Sequence, residues 1–514
     1  MTLVSSINIA HQALLVNQAA ITAVSNNISN VDTEGYSKLD VNLASVINYS
    51  SSAGKAIGRA NALSGVELVN IERASNAYLQ NYYWQENSNY SYLDKYTNVA
   101  SNVENLMNEL KNDGLSSAMT SFYKAADDLN SDPSDITARQ SYLSAADNVC
   151  SVFNNIATDL TNLSQSLAGD PNNVNSLSSS EISSNVDNVN NLLDQIAKVN
   201  YNIIKTNSSG NTSSALLDQR DTLISSLSLL MPLTVTANSS GTVNISLGER
   251  ALLKGSIVSN YLEVKTGDAI TPAIINIVGK AGNLVASNVN SEITAGKIGA
   301  ILDVCGSDVT KFTISGVLDS LNTLASEFAG VLNNIQTGDP AGDGTTGMCI
   351  DGASKTLIAA TENIFVPNDG SGVITALNIG VNSVISNDPY LVAAARVDLT
   401  TGVDYSHAIG NNSNMTLVLD SRTTDYAALN NTTMGDYLSN TVSKVGTDVK
   451  NLNNNFTSQD AVLKEIKAQL SSATGVNLDE ELVNLIKYQR AYQAAARVFS
   501  VCGDLMAELI NLGK

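Results

Sequence analysis

Both ends of this chain carry the same heptad spacing, which constrains the fold more than anything between them. From the start, Leu3, Ile7, Ala10, Leu14, Asn17, Ile21, Val24, Ile28 and Val31 follow an unbroken 4-3 spacing, the seam of a helix that packs lengthwise on another. At the other end Leu478, Leu482, Leu485, Gln489, Tyr492, Ala496, Phe499, Gly503, Met506 and Ile510 repeat it. Terminal segments fray unless something ties them down, so two terminal stripes predict that each helix has a partner. The nearest candidate is the other terminus. Asn17 and Gln489 interrupt the stripes and have two readings, polar groups that fix register within the seam or ordinary surface positions.

Composition removes several classes of function. A chain of 514 residues, 43% of them hydrophobic, has the material for two to four domains with substantial cores. Twenty-eight basic residues against 49 acidic ones give a net charge of −21, too few cations for a nucleic-acid binder. The first basic residue is Lys38, so a secretory signal peptide is not expected, and no run of about 18 apolar residues predicts a membrane span. Cys150, Cys305, Cys349 and Cys502 lie far apart without a C-x-x-C pair, which reads as small buried apolar residues rather than a metal site. His11 and His407 are the only histidines and neither has a carboxylate at a recognisable spacing. No catalytic residue, metal ligand or cofactor site is predicted.

Proline divides the chain. All seven prolines lie between Pro133 and Pro389, so the outer segments are free to be helical. Small or polar residues from Gly54 to Ser64 precede a short alternating strand from Gly65 to Ile71. Leu93, Tyr96, Ala100, Val103, Met107 and Leu110 predict a long helix ending at a Gly114 C-cap. Further helices are expected over 116–129, 137–167, 180–205 and 217–230. The period then changes to two: Leu233 to Thr236, the polar Asn238-Ser239-Ser240-Gly241, and Val243, Ile245 and Leu247 read as a hairpin. Strand character continues over 251–264, 273–278 and 284–289, helix returns over 307–336, and 337–413 reads as loop-rich with a few short strands. Leu438, Val442, Val445, Val449, Leu452, Phe456, Gln459, Leu463, Ile466 and Leu470 then mark one side of a bundle or coiled coil. Ala473-Thr474-Gly475 breaks this rod, and Asn477 with Glu480 caps the terminal helix.

Two segments carry a family resemblance. Ser25-Asn26-Asn27-Ile28-Ser29-Asn30-Val31-Asp32-Thr33-Glu34-Gly35-Tyr36 resembles the N-terminal signature of flagellar rod, hook and hook-associated axial proteins, with Asn26, Asn27, Asn30, Thr33, Gly35 and Tyr36 on its fixed positions. The tail, Gly475-Val476-Asn477-Leu478-Asp479-Glu480-Glu481 followed by Leu485 to Val498, is similar to that of the hook-associated protein 1 family. Leu216 to Asp221, Asp132-Pro133 leading to Ala138-Arg139-Gln140, and Gly296-Lys297-Ile298-Gly299 resemble that family as well. The match is weakest over 235–289 and 339–381.

The expected fold is mainly α with inserted β, a discontinuous multidomain subunit. Residues 1–55 and 472–514 form a terminal coiled-coil core, 56–231, 293–338 and 414–471 a long helical domain, 232–292 an inserted β domain, and 339–413 a loop-rich segment. The assembly core is expected to use Leu3, Ile7, Leu14, Ile21, Val24, Ile28, Leu478, Leu482, Leu485, Tyr492, Phe499, Met506 and Ile510. Gly35 is expected at positive φ, with Tyr36 docked against a neighbouring layer.

The resemblance implies a structural, non-enzymatic junction protein of the flagellum. It implies self-assembly, contacts with the flagellar hook protein and a second junction protein, a cytoplasmic export chaperone on the C-terminal helix, and secretion through the flagellar type III export apparatus without a cleavable signal peptide. Another axial protein, hook or distal rod, is the alternative within the class. An adhesin or enzyme carried on the inserted middle is the alternative outside it.

Overall fold

A computed structural model of the chain describes residues 3–47, 63–107, 114–208, 213–268, 270–338, 345–398, 403–404 and 407–512. The stretch 54–62 and Leu110 lie outside the described residues. The chain opens with α1 (Leu3–Ser29) and an antiparallel ribbon of β1 (Leu39–Ile47) and β2 (Leu63–Arg73). Helices follow: α2 (Ala77–Leu106), α3 (Leu115–Ser131), α4 (Ile136–Ala168), the single turn α5 (Val174–Leu177), α6 (Glu181–Ser208) and α7 (Ser214–Ser228). Gly114 does not close α2; it is the N-cap of α3, its extended backbone leading into the first turn.

The predicted hairpin after α7 is present. β3 (Thr234–Ala237) pairs with β4 (Val243–Leu247), Val235 opposite Ile245, across a turn in which Gly241 takes φ +82°. With β5 (Arg250–Lys254) and β6 (Ile257–Val258) they make a four-stranded antiparallel sheet; β7 (Asn260–Thr266), β8 (Ala273–Gly279) and β9 (Leu284–Ala286) make a second, three-stranded one. Side chains on β4 alternate, with Val243, Ile245 and Leu247 buried, as expected of a strand with one face on a core.

Helix resumes earlier than the spacing predicts. α8 (Gly296–Cys305) precedes α9 (Ile314–Thr337), and 307–313 is not helical; Thr313 caps α9 by accepting from the Gly316 amide at 3.0 Å. The segment expected to be loop-rich holds five short strands, β10 (Thr345–Ile350), β11 (Leu357–Ala359), β12 (Phe365–Pro367), β13 (Ile379–Val381) and β14 (Ala395–Asp398), with the short helix α10 (Ser383–Asn387). Helix α11 (Ser413–Asp420) leads to α12 (Met434–Thr474) and α13 (Leu478–Leu512).

The main core lies among α2 to α9 and α12. Phe328 on α9 meets Phe122 of α3 edge-on with ring centroids 5.3 Å apart and Phe365 of β12 at 5.2 Å, all three rings buried. The apolar stripe of α12 lies along α2, Phe456 against Tyr90 at 5.3 Å. Its one polar member, Gln459, donates to the Glu86 carboxylate at 2.6 Å, so the interruption is a specific cross-helix bond. Among the described residues, no helix is long and apolar enough to cross a membrane.

Candidate assembly site at the paired termini

Helices α1 and α13 pack on each other. Asn27 bonds Glu481, and the His11 ring lies 6.3 Å from that of Phe499. Sixteen residues back on one helix therefore correspond to eighteen forward on the other, which makes the pair antiparallel. The 27 residues of α1 extend about 40 Å at 1.5 Å per residue. Its buried positions are Ala10, Val16, Asn17, Ala20, Ala23, Val24 and Asn27. Small side chains let the backbones approach, and the ribbon covers another side of α1 where Gly65 meets Ile9. Of the residues expected in the α1 seam, Val24 is buried, while Leu3, Ile7, Leu14, Ile21 and Ile28 are half-buried. Asn17 is buried in the seam, and its amide donates to the Ala13 carbonyl of its own helix at 2.6 Å rather than across it.

On α13 the seam differs from the one read from apolar spacing. The positions turned inward are Glu481, Asn484, Leu485, Tyr488, Ala495, Ala496, Cys502 and Met506, a stripe centred beside the predicted column. Leu485, Ala496 and Met506 belong to both. Leu478, Leu482 and Ile510 face outward, 43%, 42% and 60% exposed, Tyr492 and Phe499 sit at the seam edge, and Gln489 is exposed. Ile486, Val498 and Leu505 are also exposed. α13 thus carries more apolar surface than one partner helix covers, the mark of a helix meant to be enclosed on several sides.

Asn27 on α1 and Glu481 on α13 bring polar groups into the seam and bond each other. Asn27 is completely buried and uses all four of its hydrogen-bonding positions. Its amide donates to the Leu39 carbonyl at 3.0 Å and to Glu481 Oε2 at 3.1 Å; its carbonyl accepts from the Leu39 amide and the Tyr36 hydroxyl, each at 2.8 Å. One side chain therefore joins α1, the turn after it, β1 and α13. The Tyr36 hydroxyl points into its own chain, and burial together with Asp218 and Glu481 pushes it up to about 12.

The rest of the motif winds the chain off α1. Asn30 donates from its backbone and its side chain to the Asn26 carbonyl, the Thr33 hydroxyl donates to Asn30 Oδ1 at 3.2 Å, and the Tyr36 amide reaches the Thr33 carbonyl. Gly35 takes φ +81°, and a Cβ there would stand 2.6 Å from Thr222 Oγ1 on α7. Beside this turn the Lys38 amide donates to the Thr474 carbonyl at 2.8 Å, at the end of α12, and Asn477 Oδ1 caps α13 by accepting from the Asp479 and Glu480 amides. An open cleft of about 670 Å³ lies between the turn, α2, α7 and the α12–α13 corner.

The three internal motifs are each a tie between elements. Arg139 is 1% exposed and its guanidinium donates to the carbonyls of Pro133, Tyr390 and Val392, while burial pulls it down to about 10. Gly296, at φ +74°, lies so close to Leu230 and Met231 that no Cβ fits, which lets the Lys297 and Ile298 amides bond the carbonyls ending α7. Asp218 and Asp221 hold Arg73 of β2. Cys150, Cys305 and Cys349 are buried and their thiols pushed up by burial, while Cys502 is half-buried. His407 is exposed.

A discontinuous subunit whose two termini pair outside a helical body, with the signature turn between them, defines a structural axial protein of the bacterial flagellum. A family model described as the flagellar hook-associated protein FlgK helical domain matches residues 100–350, and one described as the flagellar basal body rod FlgEFG protein C-terminal matches 468–512. The flagellar hook-associated protein 1 of Bacillus subtilis (strain 168) is 25% identical over 539 residues, covering 98% of this chain and 97% of its own. That of Salmonella typhimurium is 27% identical over 580 residues, covering 99% and 100%. The solved structure of the flagellar hook junction protein FlgK from Burkholderia pseudomallei shares the fold at a TM-score of 0.57 and 14% identity, over 76% of this chain and all of the other. Over nearly its whole length the chain is similar to proteins of the flagellar hook-associated protein 1 family.

Proposed function

We propose that this chain assembles at the distal end of the flagellar hook and connects hook to filament, as a structural subunit without catalytic activity. The observation that carries this reading is the antiparallel terminal pair, whose C-terminal helix leaves Leu482, Ile486, Val498 and Leu505 exposed. Apolar side chains in such number are stable on a secreted subunit only when neighbouring subunits cover them. Of the residues expected in the assembly core, Leu478, Leu482 and Ile510 are proposed to meet neighbouring copies rather than α1, and Tyr492 and Phe499, at the seam edge, to meet both.

The division into a terminal core (1–55 and 472–514), a helical domain (56–231, 293–338 and 414–471), a β insertion (232–292) and the segment 339–413 is proposed as the working anatomy. Hook protein below and the second junction protein above are the proposed neighbours. Before export, a chaperone in the cytoplasm is proposed to shield α13, and the flagellar type III apparatus to carry the chain outside without a cleaved signal. The test is immunogold electron microscopy of purified flagella with an antibody against residues 232–292. Label confined to the hook–filament boundary is the expected result. Label along the hook or rod would move the chain to another axial position, and no label would reopen the adhesin and enzyme alternatives.

A further inference from the structure

Four charged side chains meet where the terminal ribbon, the helical body and the β insertion come together. Arg73, the last residue of β2, places Nε 2.6 Å from Asp218 Oδ1 and Nη2 2.9 Å from Asp221 Oδ2, both on α7. Arg220, on the same helix, donates from Nε and Nη2 to Asp221 Oδ1 at 3.0 and 2.8 Å. Its remaining arm, Nη1, donates to the Gly241 carbonyl at 3.0 Å, in the β3–β4 turn. All four side chains are 10–13% exposed.

Two cations balance two anions in this cluster, and each arginine uses its planar fork to reach two acceptors at once, which a lysine ammonium on a single point cannot do. Burial raises the Asp218 carboxyl, and Arg73 and the Ser37 hydroxyl oppose that rise. Ser37 directly follows the signature tyrosine, so the turn from α1 contributes to the same cluster. Apolar packing alone would let the ribbon slide over α7. Directional charge-assisted bonds do not.

We propose that Arg73, Asp218, Asp221 and Arg220 form a positioning node that fixes the terminal ribbon and the β insertion in one orientation relative to the helical body. The node ties three parts of the chain into one rigid subunit. It is internal to the chain and is read in the isolated protein, so it stands or falls independently of where in the flagellum the chain assembles.

The test is a pair of nitroxide labels, at Glu67→Cys on β2 and Ser239→Cys in the β3–β4 turn, introduced into the full chain with Cys502→Ser. Their distance distribution is measured by pulsed electron resonance, and helix content and the unfolding midpoint are followed alongside. A single narrow distance is expected for the parent chain. Arg73→Gln and Arg220→Gln are each expected to broaden it while the helical signal holds. An unchanged narrow distance in both variants overturns the proposal. Should Arg73→Gln lose the helical fold, Arg73→Lys decides: a broadened distance on an intact fold supports the node, and a narrow distance, or unfolding here too, overturns it by leaving the cluster no role beyond stability.

Discussion

Removing the Asn27 side chain is the sharpest test of how the termini are held. Asn27→Ala deletes two bonds to the Leu39 backbone, one from Tyr36 and one to the Glu481 carboxylate, and leaves Glu481, 6% exposed, without that donor. A neutral bond contributes about 1 kcal/mol net and one to a charged group roughly 2. The sum is about 5 kcal/mol, and partial entry of water brings the expected loss to about 4. Because the body of the molecule does not depend on this contact, the loss is expected as local opening rather than global unfolding. Native-state hydrogen exchange at the Leu39 amide reads it directly, and 4 kcal/mol corresponds to roughly a thousandfold acceleration, capped by the free energy that holds the terminal unit closed. Asn27→Asp keeps the shape but removes the donors and sets a second carboxylate against Glu481, so its exchange is expected to be as fast at neutral pH and slower in acid, where the protonated side chain can donate. Acceleration below about fivefold in Asn27→Ala, equivalent to about 1 kcal/mol, would refute the assignment of Asn27 as the link between the two ends.

Leu485→Asp places a charge in the α1–α13 seam at a cost of several kcal/mol, and immunogold microscopy is expected to show no subunit at the junction; normal filament attachment contradicts this. Gly35→Ala is expected to destabilise the chain by about 1–3 kcal/mol, through its φ of +81° and the contact with Thr222. Adding Thr222→Ala should recover the part due to the contact, and calorimetry that finds no recovery removes the steric share. Iodoacetamide at mildly alkaline pH is expected to modify only Cys502 in the folded chain and all four thiols after denaturation, since burial raises Cys150 and Cys305 to about 12. These raised thiol values carry the linked sign: their contribution to stability is whole below the ordinary value of 9 and is lost as the pH climbs towards 12. Rapid native labelling at a second site contradicts that placement. In dilute monomer, exchange over 3–31 should be uneven, slow near Asn27 and fast from Leu3 to Ile9, and uniform full protection would show that α1 needs no further partner.

What the sequence discloses depends on whether a residue's partner is implied by its type. The α12 stripe was readable in full because α2 and α9 between them cover that face, and even Gln459 proved to mark the seam. On α13 the apolar column was a poor guide, since it collects residues that meet α1 together with residues left for other surfaces. The true seam contains Tyr488 and Glu481, the latter bonded to Asn27, 454 positions away in the chain. The β1 strand had a signal that apolar spacing of the helical kind obscures: Leu39, Val41, Leu43 and Ile47 recur at a period of two. Helix α8 was hidden by two glycines in its first four residues, normally a breaker, and Gly296 is there because α7 leaves no room for a Cβ. The strands of 345–398 are three to six residues long, too short for an alternation to stand out.

The chain passes between the terminal unit and the body twice, once from β2 into α2 and once from α12 into α13. Lys38, just before β1, ties the two passages together: its amide donates to the Thr474 carbonyl at 2.8 Å and its carbonyl accepts from the Ala74 amide at 2.9 Å. A single polypeptide strand can swivel about its own φ and ψ angles with little resistance. Two strands pinned side by side cannot, because turning one end relative to the other would have to wind them around each other and break the bond between them. Such a joint resists torsion, and a subunit placed in series along a rotating shaft passes rotation on through it.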